Sequence, residues 1–308
     1  MREIGGYFEL LCDGREPSTY REGVLLNSGR HALRWIIRTL GVKCVHVPFY
    51  TCPVVDEALA REGCEVRHYA LDDGLLPASD FSMSDFVIYN NYFGVCGENV
   101  RKVAARYPNT IVDAAQAFYA KPLGRASFYS PRKFFGLPDG GIAVGEGLPS
   151  ADGLERDVSY GRSLHLLKRL DCGAKSGYAD FKEASQELRD APVRAMSTLS
   201  RALLGSVDYE ASRLRRLENF RFLDAHLHST FPFAMTPDDV PMVYPFVTED
   251  ASLRARLIRQ KIYVATYWPE MSGCESLRER ILPLPLDQRY GEADMKRIVA
   301  CVKEGWSA

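Results

Sequence analysis

The stretch NTIVDAAQAF, residues 109–118, decides how this chain is read. Thr110, Ile111 and Val112 have the β-branched, apolar character of a buried strand, and Asp113 stands where that strand ends. In an open parallel sheet, a strand's carboxyl end is where side chains reach a ligand crevice. Two roles therefore suit Asp113: a cap for a helix that follows, or a carboxylate turned toward a bound group.

The residues upstream repeat the same unit. Arg30 to Leu40 carries Leu33, Ile36, Ile37 and Leu40 on one helical stripe, with Gly41 as its stop. A short strand is expected over 43–47, a helix over 53–63 and a strand over 65–69. Strand 85–89 and helix 98–106 then lead into strand 110–113. Alternation with short connections predicts an α/β fold, a mostly parallel sheet flanked by helices on both faces. After about residue 150 the pattern becomes helical and charged, including a long helix from Tyr209 to Leu227. Strands near 242–248 and 263–266 and helices near 251–260 and 291–303 complete a smaller α+β part. The expected division is 1–204 and 205–308.

Composition narrows the function classes. The chain has 308 residues, 46% hydrophobic and 26% charged, enough for a substantial core. A formal net charge of −1 gives no bulk attraction to nucleic acid or to an anionic membrane. The basic cluster Arg213, Arg215 and Arg216 reads as the wet face of a helix. Eight cysteines without a CxxC pair or a Cys/His cluster predict no metal site and no disulfide framework. MREIGGYFEL at the start is not a signal-peptide pattern, and no run is long enough to span a membrane, so a cytoplasmic location is expected.

Four segments carry chemistry. NSGRHAL (27–33) opens a helix from a small polar turn, so Ser28 and the amides of Gly29 and Arg30 suit either a phosphate or an ordinary helix cap. NTIVDAAQAF supplies Asp113 and, three residues on, Gln116 as a hydrogen-bonding partner. SFYSPRKFFGLPDGG (127–141) places Lys133 between two strand-like pieces, with Ser130 as a further phosphate donor. Desolvation by Phe134 and Phe135 would favour the neutral amine. VPFYTC (47–52) and NNYFG (90–94) offer Tyr50 and Tyr92, as ring-covering aromatics or as core. A lysine, a carboxylate, phosphate donors and a flat surface are what pyridoxal 5′-phosphate (PLP) requires of a protein.

In this order the segments resemble the sugar aminotransferase family of the DegT/StrS type, PLP-dependent enzymes of fold type I. The resemblance rests on NSGRHAL, PFYT (48–51), VDAAQAF (112–118), and Lys133 followed by PDGG (138–141), with ILPLPLDQRYGEADMKRIV (281–299) as the closing motif. It implies that Lys133 condenses with PLP and acts as general acid and base, with Asp113 on the pyridine nitrogen and Gln116 on the ring hydroxyl. It implies transfer of an amino group from a donor such as glutamate to a keto-sugar on a nucleotide, in a homodimer with shared active sites. In the related sugar dehydratases histidine stands at the lysine position, so Lys133 speaks against elimination. A non-catalytic nucleotide-sugar or partner-binding protein on the same fold is the other alternative.

Three departures bear on this. The chain is short after Gly141. Phe128 occupies the position of the usual phosphate serine, with Ser127 and Ser130 on either side of it, and Ser130 is the favoured substitute. The family's G-Y-N segment, whose asparagine reaches the partner's phosphate, reads Gly177-Tyr178-Ala179. Tyr160, Arg162 and Tyr178 are the candidates to reach across an interface, Arg162 foremost because guanidinium binds phosphate in a fork.

Overall fold

The computed structural model describes residues 10, 12, 22–268 and 279–304. The reading of the first nine residues, and Cys274, lie outside them. Seven strands form the main sheet: β1 (Val24–Leu26), β2 (Cys44–Pro48), β3 (Glu65–Tyr69), β4 (Phe86–Asn90), β5 (Thr110–Asp113), β6 (Ala126–Tyr129) and β7 (Gly141–Gly145). Their order is β1-β7-β6-β5-β4-β2-β3, parallel throughout except that β7 runs against both neighbours. The expected mostly parallel α/β sheet is the fold observed.

Helices α1 (Gly29–Leu40), α2 (Pro53–Ala60) and α3 (Gly97–Arg106) connect these strands. α1 forms because its apolar stripe, including Leu33, Ile36 and Ile37, is buried against the sheet. It ends at Gly41, whose φ of 64° gives the left-handed C-cap that glycine adopts without strain. The sheet core on that face joins Val45, Val47, Ile88, Ile111 and Ala143 to this stripe. Later helices are α4 (Leu164–Cys172), α5 (Tyr178–Asp190), α6 (Thr198–Gly205), α7 (Tyr209–Leu227), α8 (Leu253–Arg259) and α9 (Glu292–Lys303). Among the described residues, no helix is long and apolar enough to cross a membrane.

A second sheet pairs β8 (Val243–Val247) with β9 (Ile281–Pro285), antiparallel. Its Tyr244 and Leu284 belong to the same buried cluster as Val112 and Phe118 of the main sheet's other face. The expected strand at 263–266 does not pair among the described residues. The carbonyls of Val264 and Ala265 instead accept from Arg254 Nη1, at 3.3 and 2.6 Å, so a side chain takes the place of a neighbouring strand.

The wet-face reading of the basic cluster holds for two of its three members. Arg213 pairs with Glu210 and Arg215 with Glu218. Arg216 is instead buried, and its guanidinium lies 4.5 Å from the Phe134 ring centroid. Its Nη1 donates to the carbonyls of Pro241 and Met242 at 3.2 Å, and its Nε to Gln288 Oε1 at 2.8 Å. These acceptors replace the water lost on burial.

Candidate active site

β1, β2, β5 and β6 all point their carboxyl ends the same way, and the residues that follow them meet in one cavity of about 1160 Å³. Ser28, Gly29 and Arg30 line it from the start of α1, Asp113 from the end of β5, and Ser130 and Lys133 from the turn after β6. Register explains part of this convergence, because Asp113 lies opposite Asn90 on one side and Phe128 on the other.

The PDGG segment brings two of these pieces together. Ser28 bridges to Gly140, and a Cβ on Gly141 would sit 2.1 Å from the Ser28 carbonyl oxygen. Only glycine lets β7 begin so close to the mouth of α1. Asp139 is fully buried and takes the Ser197 amide at 2.9 Å and the hydroxyls of Ser197 and Ser200, which ties the segment to the N-terminus of α6. Gly29 lies against the Lys133 turn, where an added Cβ would stand 3.1 Å from Ser130 Cβ and 3.5 Å from its Oγ.

The Ser28 hydroxyl is engaged within its own helix. It accepts the His31 amide at 3.2 Å and lies 2.9 Å from His31 Nδ1. Burial, with Arg34 and Arg30 nearby, pushes His31 down to about 3, so the ring is neutral. Its Nε2 lies 3.0 Å from the Ala191 carbonyl and must carry the hydrogen, leaving Nδ1 to accept from Ser28. Ser28 is thus a helix cap, and the donors it leaves at the cavity are backbone amides and Ser130.

Asp113 Oδ1 accepts the Ala115 amide at 2.8 Å. Burial raises the Asp113 pKa, against the pull of the Lys133 charge and of that hydrogen bond. Lys133 closes a short 3₁₀ turn, Pro131–Lys133, and is exposed to the cavity. The expected desolvation of the lysine is not what the aromatics provide: Phe134 and Phe135 are buried beside Phe118 at 5.7 and 5.0 Å between ring centroids.

Tyr50, Tyr92, Gln116 and Arg162 are not in the cavity lining. Tyr50 is buried, stacked on Tyr92 at 5.5 Å and edge-on to Trp268 at 4.7 Å. The Tyr92 hydroxyl donates to the Tyr50 carbonyl at 2.9 Å, so both aromatics serve the core. Gln116 Oε1 accepts the Phe93 amide at 2.7 Å, while its Nε2 is buried without a hydrogen-bond partner. Arg162 pairs with Asp157 of its own chain at 3.0 Å, with only 10% of its side chain exposed. Tyr160 and Tyr178 are exposed.

Sequence reasoning missed Cys52, two residues past Tyr50, and Arg132, beside Lys133; both line the cavity. It also missed the opposite wall, where Arg169 of α4 and Arg215 of α7 face the same space. A second cavity of about 1060 Å³, lined by Gly124, Ala126, Gly145 and Leu154, holds none of the residues singled out above.

No family model and no curated protein matches the sequence. Solved structures do match its fold. A DegT DnrJ EryC1 StrS aminotransferase from Brucella abortus aligns with a TM-score of 0.63 at 18% identity, over 95% of this chain and 91% of that one. DesV from S. venezuelae aligns at 0.62 and 19%, over 94% and 86%. Spr1654 from Streptococcus pneumoniae, in its PLP form, aligns at 0.62 and 15%, over 94% and 88%. The chain thus has the fold-type-I architecture of PLP-dependent transferases. Within that class, its structure is similar to those of sugar aminotransferases.

Proposed function

We propose that this chain is a PLP-dependent aminotransferase that moves an amino group from an amino acid such as glutamate to a keto-sugar carried on a nucleotide. One observation carries the reading: Lys133, Asp113, Ser130 and the N-terminus of α1 converge on a single cavity at the carboxyl edge of the sheet. The residues fit the cofactor. A buried carboxylate awaits a cationic partner at the cavity, and Gly29, having no Cβ, lets the start of α1 approach the Ser130 turn closely. One of the solved structures sharing the fold is a PLP form.

Bound PLP supplies an electron sink for charge that develops at the substrate Cα. Asp113 holds a proton at the pyridine nitrogen, and its ionised form gains from that cation what burial took away. The Gly29 and Arg30 amides and the Ser130 hydroxyl orient the phosphate. Lys133 Nζ, on a short turn open to the cavity, would hold the cofactor at its aldehyde carbon and would take up and return a proton at the substrate Cα. Arg169 and Arg215 suit the anionic acceptor, and a cavity of this volume has space for a cofactor and a second ligand. The exposed apolar face of α4 and α5 supports assembly as a homodimer.

Purified protein mixed with PLP should develop visible absorbance that borohydride fixes onto Lys133, and Lys133→Ala should abolish both signals. Glutamate should convert the bound cofactor to its amine form. Wild-type protein that stays colourless with excess PLP overturns the reading.

A further inference from the structure

Arg132 immediately precedes Lys133 and lines the same cavity. Burial pushes its pKa down to about 10; Asp139 opposes this, and the nearby charges of Arg30 and Arg162 add to it. Arg132 Nε donates to the Leu137 carbonyl at 3.3 Å, and among the described residues no carboxylate lies within ion-pair distance of the group. The acids of this region are engaged elsewhere. Asp139 is taken by Ser197 and Ser200, and Asp157 by Arg162. Arg30 is in the same position. Its Nη1 is buried without a hydrogen-bond partner, and Glu57, the carboxylate that most raises its pKa, holds Arg189 at 2.6 Å. Partly buried cations without a bonded acid are costly, and an anion between them removes the cost.

Chain order fixes where that anion sits. Arg30 follows Gly29, Arg132 lies two residues past Ser130, and a Cβ added to Gly29 would stand 3.1 Å from Ser130 Cβ, so the two segments abut. We infer that Arg30 and Arg132, with the Gly29 amide and the Ser130 hydroxyl, form a phosphate-dianion site supplied wholly by one chain, which seats the 5′-phosphate of PLP. This rests on the proposed function and adds to it. Two forked guanidiniums suit the oxygens of a dianion. Arg162, held by Asp157, has no part in it. The shared chemistry is that of a small anion, and a donor carboxylate is the other source of one.

The test compares binding of PLP and of pyridoxal, which lacks the phosphate, to cofactor-free protein. Arg132→Gln should weaken PLP by about 10- to 100-fold, the range for hydrogen bonds to a charged group, and leave pyridoxal unchanged. Arg132→Lys should recover part of the loss, and Arg30→Gln should act in the same direction. Arg162→Ala should leave the PLP-to-pyridoxal ratio as it is. Inorganic phosphate should compete with PLP on wild-type protein. If Arg132→Gln, melting as wild type does, weakens both ligands equally, the arginine only shapes the turn and the inference fails. It also fails if PLP affinity is kept while the KM for glutamate rises, which assigns the arginine to the donor carboxylate. Should Arg132→Gln not fold, Arg132→Lys, Arg30→Gln and phosphate competition decide the matter. Wild-type protein that binds neither ligand overturns the proposed function itself.

Discussion

Asp113 is a buried carboxylate whose one bonded donor among the described residues is the Ala115 amide, and its chemistry can be separated from its role as a cap. Burial raises its pKa in the folded chain. The folded state therefore keeps this proton at a pH where the unfolded chain has released it. Stability that is present in the ordinary carboxylate range is lost as pH rises through the raised value. Asp113→Asn keeps an acceptor for Ala115 and removes the ionisation. The cofactor-free variant should melt at or above the wild-type temperature at neutral pH and show a flatter pH dependence. Its PLP affinity should fall on the order of 10- to 100-fold, since a charge-assisted bond is lost. Thermal melts across pH, paired with PLP titration, check both. A variant that is less stable at neutral pH yet binds PLP normally would return Asp113 to a purely structural role. A polar residue closing an apolar strand marked Asp113 in the sequence as a cap or a ligand group, and the fold brings it to the cavity lining. The place of Tyr50 was not legible, because an aromatic at a strand end serves a core and a crevice equally well, and here Tyr92 and Trp268 claim it.

At the level of elements, the Lys133 turn is held from the far side of the chain. The Phe134 carbonyl accepts Gln288 Nε2 at 2.7 Å and Arg216 Nη2 at 3.5 Å, so α7 and the segment after β9 together fix the residue following the lysine. Arg216→Met would leave the carbonyls of Pro241 and Met242 without their donor. It should cost about 2–4 kcal/mol in denaturant melts, more than Gln288→Ala at about 1 kcal/mol. Equal and small losses would show that water reaches these carbonyls. The sequence could not reveal this clamp, because an arginine at a helical i, i+1 spacing beside two solvated ones looks like them. Helices α1, α3 and α7 were readable from apolar periodicity and end signals, with bounds within a residue or two. β9 was not, because ILPLP lacks two amide hydrogens; Pro283 is tolerated since it pairs with Pro245 in a two-stranded sheet. Strand 263–266 had the right residue types but no neighbour to pair with, a tertiary fact outside the reach of a local pattern.

For the molecule as a whole, the wall of the cavity formed by α4 also carries a row of exposed apolar side chains. Leu164, Leu167 and Leu170 are exposed along it, Leu170 at 84%, with Phe181 and Tyr178 of α5 and Tyr160 just before α4. Leu166, Arg169, Leu170 and Phe181 line the cavity itself, so whatever covers this face also closes the site. An apolar patch of this kind is costly on a monomer, and a second copy across a two-fold axis would bury it twice over. Sedimentation of the PLP-loaded protein should give a species of twice the 34.6 kDa chain mass. A clean monomer at micromolar concentration would dispose of the shared wall. Leu167→Asp combined with Leu170→Asp should yield monomers, because two carboxylates on an apolar interface cannot be paired. The one-chain phosphate site makes a further demand on that variant. Its monomers should lose turnover, for want of the closing wall, yet take up PLP with affinity close to that of the dimer. If the cofactor departs together with the partner, the phosphate contacts belong to the interface, and Arg30 and Arg132 are not enough to hold it.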